Sequence, residues 1–142
     1  MANNLSAFLK QNVITRENEK FVVSQRFVQD GKPVEWEICA ITSAEDEELR
    51  KKCMKRVPVP GKRNVYQPEF DSNTYLAVLA ASCTVFPDLN NAELQDSYGV
   101  KGADKLIKAM LTAGEFYDYM DKIQEINGFD VSMDDKVEEA KN

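Results

Sequence analysis

The sequence predicts an α+β fold, in which a mainly helical single domain carries an N-terminal antiparallel β-hairpin packed on a helical core. An Asp-Gly pair at positions 30 and 31 separates two stretches of alternating apolar residues, which is typical of a hairpin. Residues 75–86 hold only two polar side chains, which predicts a buried helix. Apolar residues then recur at spacings of three and four as far as residue 126, which predicts amphipathic helices.

The length and composition favour one domain. At 142 residues, 43% of them hydrophobic, the chain can build one substantial core but hardly two. We predict a domain over residues 1–129 and an acidic flexible tail over residues 130–142, which are polar and lack an apolar stripe. Residues 115–142 hold nine acidic and three basic side chains, an excess that equals the net charge of −6 of the whole chain.

The hairpin is predicted over residues 19–40, with Asp30 and Gly31 in its turn. This turn sets a register in which one face is almost entirely apolar and must pack on helices. The predicted cross-strand pairs are Phe27 with Val34, Gln25 with Trp36, Val23 with Ile38, Phe21 with Ala40, Arg26 with Glu35, Ser24 with Glu37, and Val22 with Cys39.

Capping and breaking residues predict where the helices begin and end. Thr42 and Glu45 have the spacing of a capping box, and Pro87 cannot continue the buried helix. Gly99 and the Asn127-Gly128 pair are typical helix ends. The predicted helices cover about residues 43–56, 72–86, 91–98, 103–112 and 115–127.

A basic segment precedes the buried helix. Residues 50–63 hold seven of the eighteen basic side chains, and residues 57–69 contain three prolines and one glycine, which predicts an extended loop. The segment fits either a patch for phosphate or an acidic partner, or a solvated helix end with its loop. We favour the second interpretation, because no glycine-rich phosphate cradle accompanies the basic residues.

The residue types argue against catalysis and bound cofactors. Histidine is absent, which excludes imidazole bases and metal ligands. Cys39, Cys53 and Cys83 have neither disulfide nor CxxC spacing, and no phosphate-binding, dinucleotide or serine-hydrolase motif occurs. The acidic balance opposes general nucleic-acid binding, and no secretory signal or membrane span is expected. We predict a protein that is not an enzyme, binds no cofactor or metal, and acts by binding other proteins.

Three long segments resemble one family. They are KPVEWEICAITSAEDEELRKKC (residues 32–53), SNTYLAVLAASCTVFPDLNNAELQDSYGV (residues 72–100) and KIQEINGFD (residues 122–130). They resemble the XkdN-like phage tail assembly chaperones of long-tailed Gram-positive phages and prophages, in order from about residue 5 to residue 130. The resemblance implies a non-enzymatic protein of the host bacterial cytoplasm. It would bind the tape-measure protein, keep it soluble and direct tail-tube subunits onto it. The acidic charge and the lack of a membrane span argue separately against nucleic-acid and membrane partners.

The partner surface is predicted on the C-terminal helices, with the hairpin edge as a second contact. For the two methionines in this set a plain core role is favoured, and self-association stays open. Two other functions remain as alternatives: a structural minor tail protein retained in the virion, and a small regulator that binds nucleic acid through residues 50–63. The predicted partner-binding residues are Leu106, Met110, Phe116, Tyr119, Met120 and Ile123.

Overall fold

Five α-helices and seven short strands lie along residues 5–129, the part of the chain that a computed structural model describes. This architecture confirms the predicted α+β class with a hairpin on a helical core. The predicted acidic tail lies outside the described residues. The strands are β1 (Glu19–Val22), β2 (Val28–Gln29), β3 (Lys32–Pro33), β4 (Glu35–Ile38), β5 (Met54–Pro58), β6 (Tyr66–Phe70) and β7 (Thr84–Phe86). The helices are α1 (Ser43–Lys52), α2 (Ser72–Cys83), α3 (Ala92–Ser97), α4 (Ala103–Met110) and α5 (Ala113–Ile126).

The predicted register holds only beside the turn. Phe27 and Val34 are joined by a backbone hydrogen bond of 2.8 Å, as expected. Further from the turn Phe21 lies opposite Trp36, so the pairs predicted there are wrong. Residues 23–26 bend away from the ladder and have no counterpart on the other strand, because Ser24 is buried and its hydroxyl accepts the Arg26 N–H at 3.2 Å.

A third strand joins the hairpin. The buried helix ends at Cys83 instead of Phe86, and β7 pairs with β4 in a sheet of order β1-β4-β7. The helix ends here because Thr84 and Val85 are β-branched and because the Cys83 carbonyl accepts the Cys39 N–H at 2.8 Å. The sequence pattern alone could not distinguish a strand from the last turn of a helix.

The segment predicted as an extended loop is a two-stranded ribbon. α1 ends at Lys52, earlier than predicted, and β5 pairs with β6 from Met54 opposite Phe70 to Pro58 opposite Tyr66. The prolines led to the prediction of a loop, because proline has no backbone N–H to donate. In a two-stranded ribbon both strands are edge strands, where proline is tolerated. Gly61 and Asn64 turn the chain with positive φ angles of 77° and 58°.

Helix α2 lies at the centre of the core. It packs against α1, α4, α5 and β7, and the Asp71 side chain caps its first turn through the Thr74 N–H. None of the helices in the described part of the chain is long and apolar enough to cross a membrane. The core consists of Trp36, Ile38, Cys53, Tyr75, Leu79, Ala80, Cys83, Leu89, Leu106, Ile107, Met110, Leu111, Tyr119, Met120, Ile123 and Ile126.

Candidate functional site

The predicted partner-binding residues lie in or against this core. Leu106, Met110, Tyr119, Met120 and Ile123 are buried, and Phe116 is half-buried and packs on them. The apolar stripe of α4 and α5 is covered by α2 and the sheet, so the two methionines are core residues. The partner-binding role of this set stays a prediction, and a partner could reach Leu106, Tyr119 and Ile123 only if the core opened.

An accessible apolar surface lies instead where the hairpin turn meets the corner after α2. There an open groove of about 500 Å³ has Trp36 and Met110 among its lining residues. Buried neighbours hold both of these side chains in place. The walls of the groove come from Phe27, Val28 and Val34 of the hairpin, from Phe86 and Pro87 of the corner, and from Leu94 of α3.

The groove walls expose apolar side chains. Val28 is 56% exposed and Phe86 is 52% exposed. Val28 adjoins the hairpin turn, and Phe86 ends a strand whose outer edge is unpaired within the described sheet. Contiguous apolar side chains at a surface favour association with another molecule, because burying them releases water.

One side of the groove is held by Arg26. Its guanidinium donates to the Met110 carbonyl at 2.8 Å and to the Glu115 carboxylate, and it lies 5.1 Å from the centre of the Phe27 ring. Hydrogen bonds from Arg26, and then from Ser24 and the Thr112 backbone, lower the pKa of Glu115 to about 2. Glu115 therefore stays ionised, and the pair joins the hairpin bend to the start of α5.

An acidic rim adjoins the groove at Leu94, which lines both surfaces. Asp88 and Glu93 lie beside Leu94 along an adjoining concave surface. Residues 64–100 contain five acidic side chains and no basic one. A partner segment that combines apolar side chains with a Lys or Arg would therefore complement both the wall and this rim.

The basic segment lies on α1 and the ribbon. Arg50 pairs with Asp46 at 2.9 Å and stacks on the Tyr75 ring, and Lys51 pairs with acidic side chains of its own helix. Arg56 lies over the exposed Tyr66 ring, 5.5 Å from its centre. These contacts fit a solvated helix end and ribbon.

The described residues offer no evident catalytic or metal centre. Within residues 5–129 no three acidic or cysteine side chains are grouped so that they could hold a metal ion. The cysteines in this range are free, and burial raises the pKa of the Cys83 thiol to about 11. Burial, followed by a hydrogen bond to Asp46, raises the pKa of Tyr75 to about 12. These groups stay protonated at neutral pH and are poor nucleophiles.

Comparison with known proteins agrees with this picture of a binding protein. The family model for phage XkdN-like tail assembly chaperone proteins matches residues 5–141. The chain belongs to this family. The resemblance seen in the three sequence segments is thus confirmed. Membership in a chaperone family agrees with the expectation of a protein that is not an enzyme.

Two relatives from Bacillus subtilis strain 168 cover almost the whole chain. The uncharacterized protein YqbN is 33% identical in an alignment of 141 positions that covers 98% of this chain and 93% of YqbN. The phage-like element PBSX protein XkdN is 31% identical in an alignment of 141 positions that covers 98% of this chain and 94% of XkdN. The crystal structure of YqbN has a TM-score of 0.74 and 30% identity, and the match covers 89% of this chain and 98% of that one.

The sequence analysis does not predict the groove, although two residues of its walls have unusual positions in the sequence. Val28 is a large apolar residue next to a polar turn, and Phe86 precedes a proline at a helix end. Such positions are usually solvent-exposed, so large apolar side chains there were informative. Their approach to Leu94 depends on how the corner folds back, which local patterns do not reveal.

Proposed function

We propose that this tail assembly chaperone binds an apolar helical stripe of the tape-measure protein in the groove between the hairpin turn and the α2 corner, and keeps that protein soluble during assembly. The exposed Val28 and Phe86 side chains are the observation that carries the proposal. A long helical rod would aggregate through its apolar stripes if they were left uncovered. The chaperone covers such a stripe and performs no chemical step.

The shape and charge of the groove suit an amphipathic helix. The groove is open, has a volume of about 500 Å³ and is lined mainly by apolar side chains. An amphipathic helix can place side chains from successive turns into such a groove. The net charge of −6 adds electrostatic repulsion between complexes, which opposes aggregation.

We also propose a cellular location and a second partner for the chaperone. Tail assembly precedes release of the particle, so we assign the chaperone to the host bacterial cytoplasm. Tail-tube subunits are the second partner. The outer edge of β1 is unpaired within the described sheet and offers backbone groups to which a tube subunit can add a strand.

Co-expression with the tape-measure protein of the same phage tests the groove. We expect the wild-type chaperone to keep the rod protein soluble and to co-purify with it. The double variant Val28→Asp/Phe86→Asp should weaken this complex by about tenfold or more, since two apolar contacts are replaced by buried charges. Tyr117→Asp is the matched control, because Tyr117 is 72% exposed on α5 and does not line the groove.

Two results would contradict the proposal. One is a rod protein that is equally soluble without the chaperone and never co-purifies with it. The other is a groove variant that is folded by circular dichroism and binds as tightly as the control. Mass spectrometry of purified virions addresses the structural alternative, because a chaperone is absent from mature tails whereas a minor tail protein is recovered in stoichiometric amounts.

A further inference from the structure

The segment before β1 forms a short arm, residues 5–18, whose apolar side chains are exposed. Ile14 is 97% exposed and Phe8 is 77% exposed, and Leu5, Leu9 and Val13 are also exposed. None of these five side chains belongs to the buried core. The arm therefore presents an apolar surface that the rest of residues 5–129 leaves exposed.

The arm has local structure of its own. Residues Ser6–Phe8 form one turn of 3-10 helix, and the Asn12 side chain donates to the Ser6 carbonyl at 2.8 Å. These bonds hold the chain in a turn while the apolar side chains point outward. A preformed apolar segment loses less conformational entropy on binding than a flexible one does.

The arm does not occupy the groove of its own copy. Asn18 at its base donates to Glu37 at 2.8 Å, and Glu19 lies opposite Ile38. The lining residues of the groove come from the hairpin, the corner, α3 and α4, and none of them belongs to the arm. The exposed arm and the open groove of one copy are thus separate surfaces, which favours a groove on another molecule as the binding site of the arm.

We propose that the arm of one copy occupies the groove of a second copy, and that the second arm returns the contact in a two-fold dimer. Both surfaces are apolar, and Lys10 lies between Leu9 and Val13, where it can meet the acidic rim formed by Asp88 and Glu93. Each copy contributes an arm and a groove, so a two-fold axis makes the same contact twice.

This dimer uses the same groove as the proposed function but does not depend on the identity of the tail partner. While the arms are bound, the apolar walls are shielded from water. The tape-measure protein then has to displace the arm before it can bind. The dimer is therefore a protected form of the free chaperone, and the rod protein competes with it.

Light scattering of the purified full-length chain across a dilution series tests the dimer. We expect the wild type to have twice the chain mass of 16.1 kDa at high concentration. Either Phe8→Asp/Ile14→Asp in the arm or Val28→Asp/Phe86→Asp in the groove should raise the dimer dissociation constant by about 100-fold or more. Tyr117→Asp should behave as the wild type.

Mixing the two double variants gives a second readout. The arm variant keeps an intact groove and the groove variant keeps an intact arm, so the mixture should form heterodimers through one remaining contact, although neither variant dimerises alone. A wild type that is monomeric at every concentration, or an arm variant that dimerises normally, would overturn the inference. The arm variant should still bind the tape-measure protein, so failure of the dimer and failure of the proposed function are separate results.

Discussion

Arg26 shows how one side chain connects distant parts of the chain. The sequence pattern placed it opposite Glu35 in the hairpin, but the bend at residues 23–26 turns it toward Glu115, 89 positions away. There it also donates to the Met110 carbonyl. This contact fixes the hairpin against the junction of α4 and α5, and so it also positions one wall of the groove.

The Glu115 carboxylate should make stability depend on acid pH. Its pKa is about 2 in the folded chain, below the ordinary value of 4.5, so its contribution to the free energy of unfolding is complete above about pH 4.5 and is lost as the pH falls toward 2. Urea denaturation between pH 7 and pH 2 should therefore show a smaller loss of stability for Glu115→Gln than for the wild type.

Glu125→Gln is the control for this measurement, because Glu125 forms only a 3.8 Å pair with Lys122 on the exposed face of the same helix. Its pH profile should run parallel to that of the wild type. Parallel profiles for Glu115→Gln as well would show that the Arg26 contact does not persist in solution.

The secondary-structure elements are joined at their ends by specific polar side chains. Asn127 ends α5, accepts the Ile41 N–H at 2.8 Å and donates to the Ile123 carbonyl at 2.8 Å, and it also reaches the Cys83 sulfur at 3.4 Å. It therefore connects the end of α5 to the segment before α1 and to the end of α2. The sequence predicted a helix end here but not these contacts.

Replacing Asn127 should destabilise the whole fold. Asn127→Ala leaves the half-buried Ile41 N–H without its acceptor, which should lower the free energy of unfolding by about 1–3 kcal/mol. Asn12→Ala is the control, because the exposed Asn12 side chain bonds to Ser6 within the arm. Urea denaturation followed by circular dichroism measures both variants, and equal stabilities would contradict a structural role for Asn127.

For the molecule as a whole, the division between core and surface decides where a partner can bind. The stripe of α4 and α5 has the spacing of either a core face or a partner groove, and only its position against α2 and Trp36 distinguishes the two. The Tyr119 ring lies 5.3 Å from the Trp36 ring, within the buried cluster. We therefore propose the groove and the arm as the accessible binding surfaces.

Truncation of the buried stripe should act through stability. Ile123→Ala removes a fully buried side chain and should lower the free energy of unfolding by about 2–5 kcal/mol. Tyr117→Ala, on the exposed face of the same helix, should change it by about 0.5 kcal/mol or less. If Ile123→Ala instead keeps wild-type stability and loses only tape-measure binding in the co-expression assay, the partner surface is on this stripe, as the sequence pattern predicts.

The elements that could be predicted from the sequence depend on neighbouring residues. The Asp30-Gly31 turn, the capping box of Thr42 with Glu45, and the helix ends at Gly99 and Asn127 are local, so their residue types suffice. The α+β class and the family resemblance follow from these local patterns and from the long segments that carry them.

The features that could not be predicted depend on contacts between distant positions. β7 depends on the hydrogen bond from the Cys39 N–H to the carbonyl of Cys83, 44 positions later. The ribbon depends on the pairing of β5 with β6, in which Met54 lies opposite Phe70. The groove needs Val28, Phe86 and Leu94 in one place. The sequence shows which side chains are apolar, but only tertiary packing decides which of them are buried. The reason is that each buried side chain is covered by segments that lie far from it in the sequence.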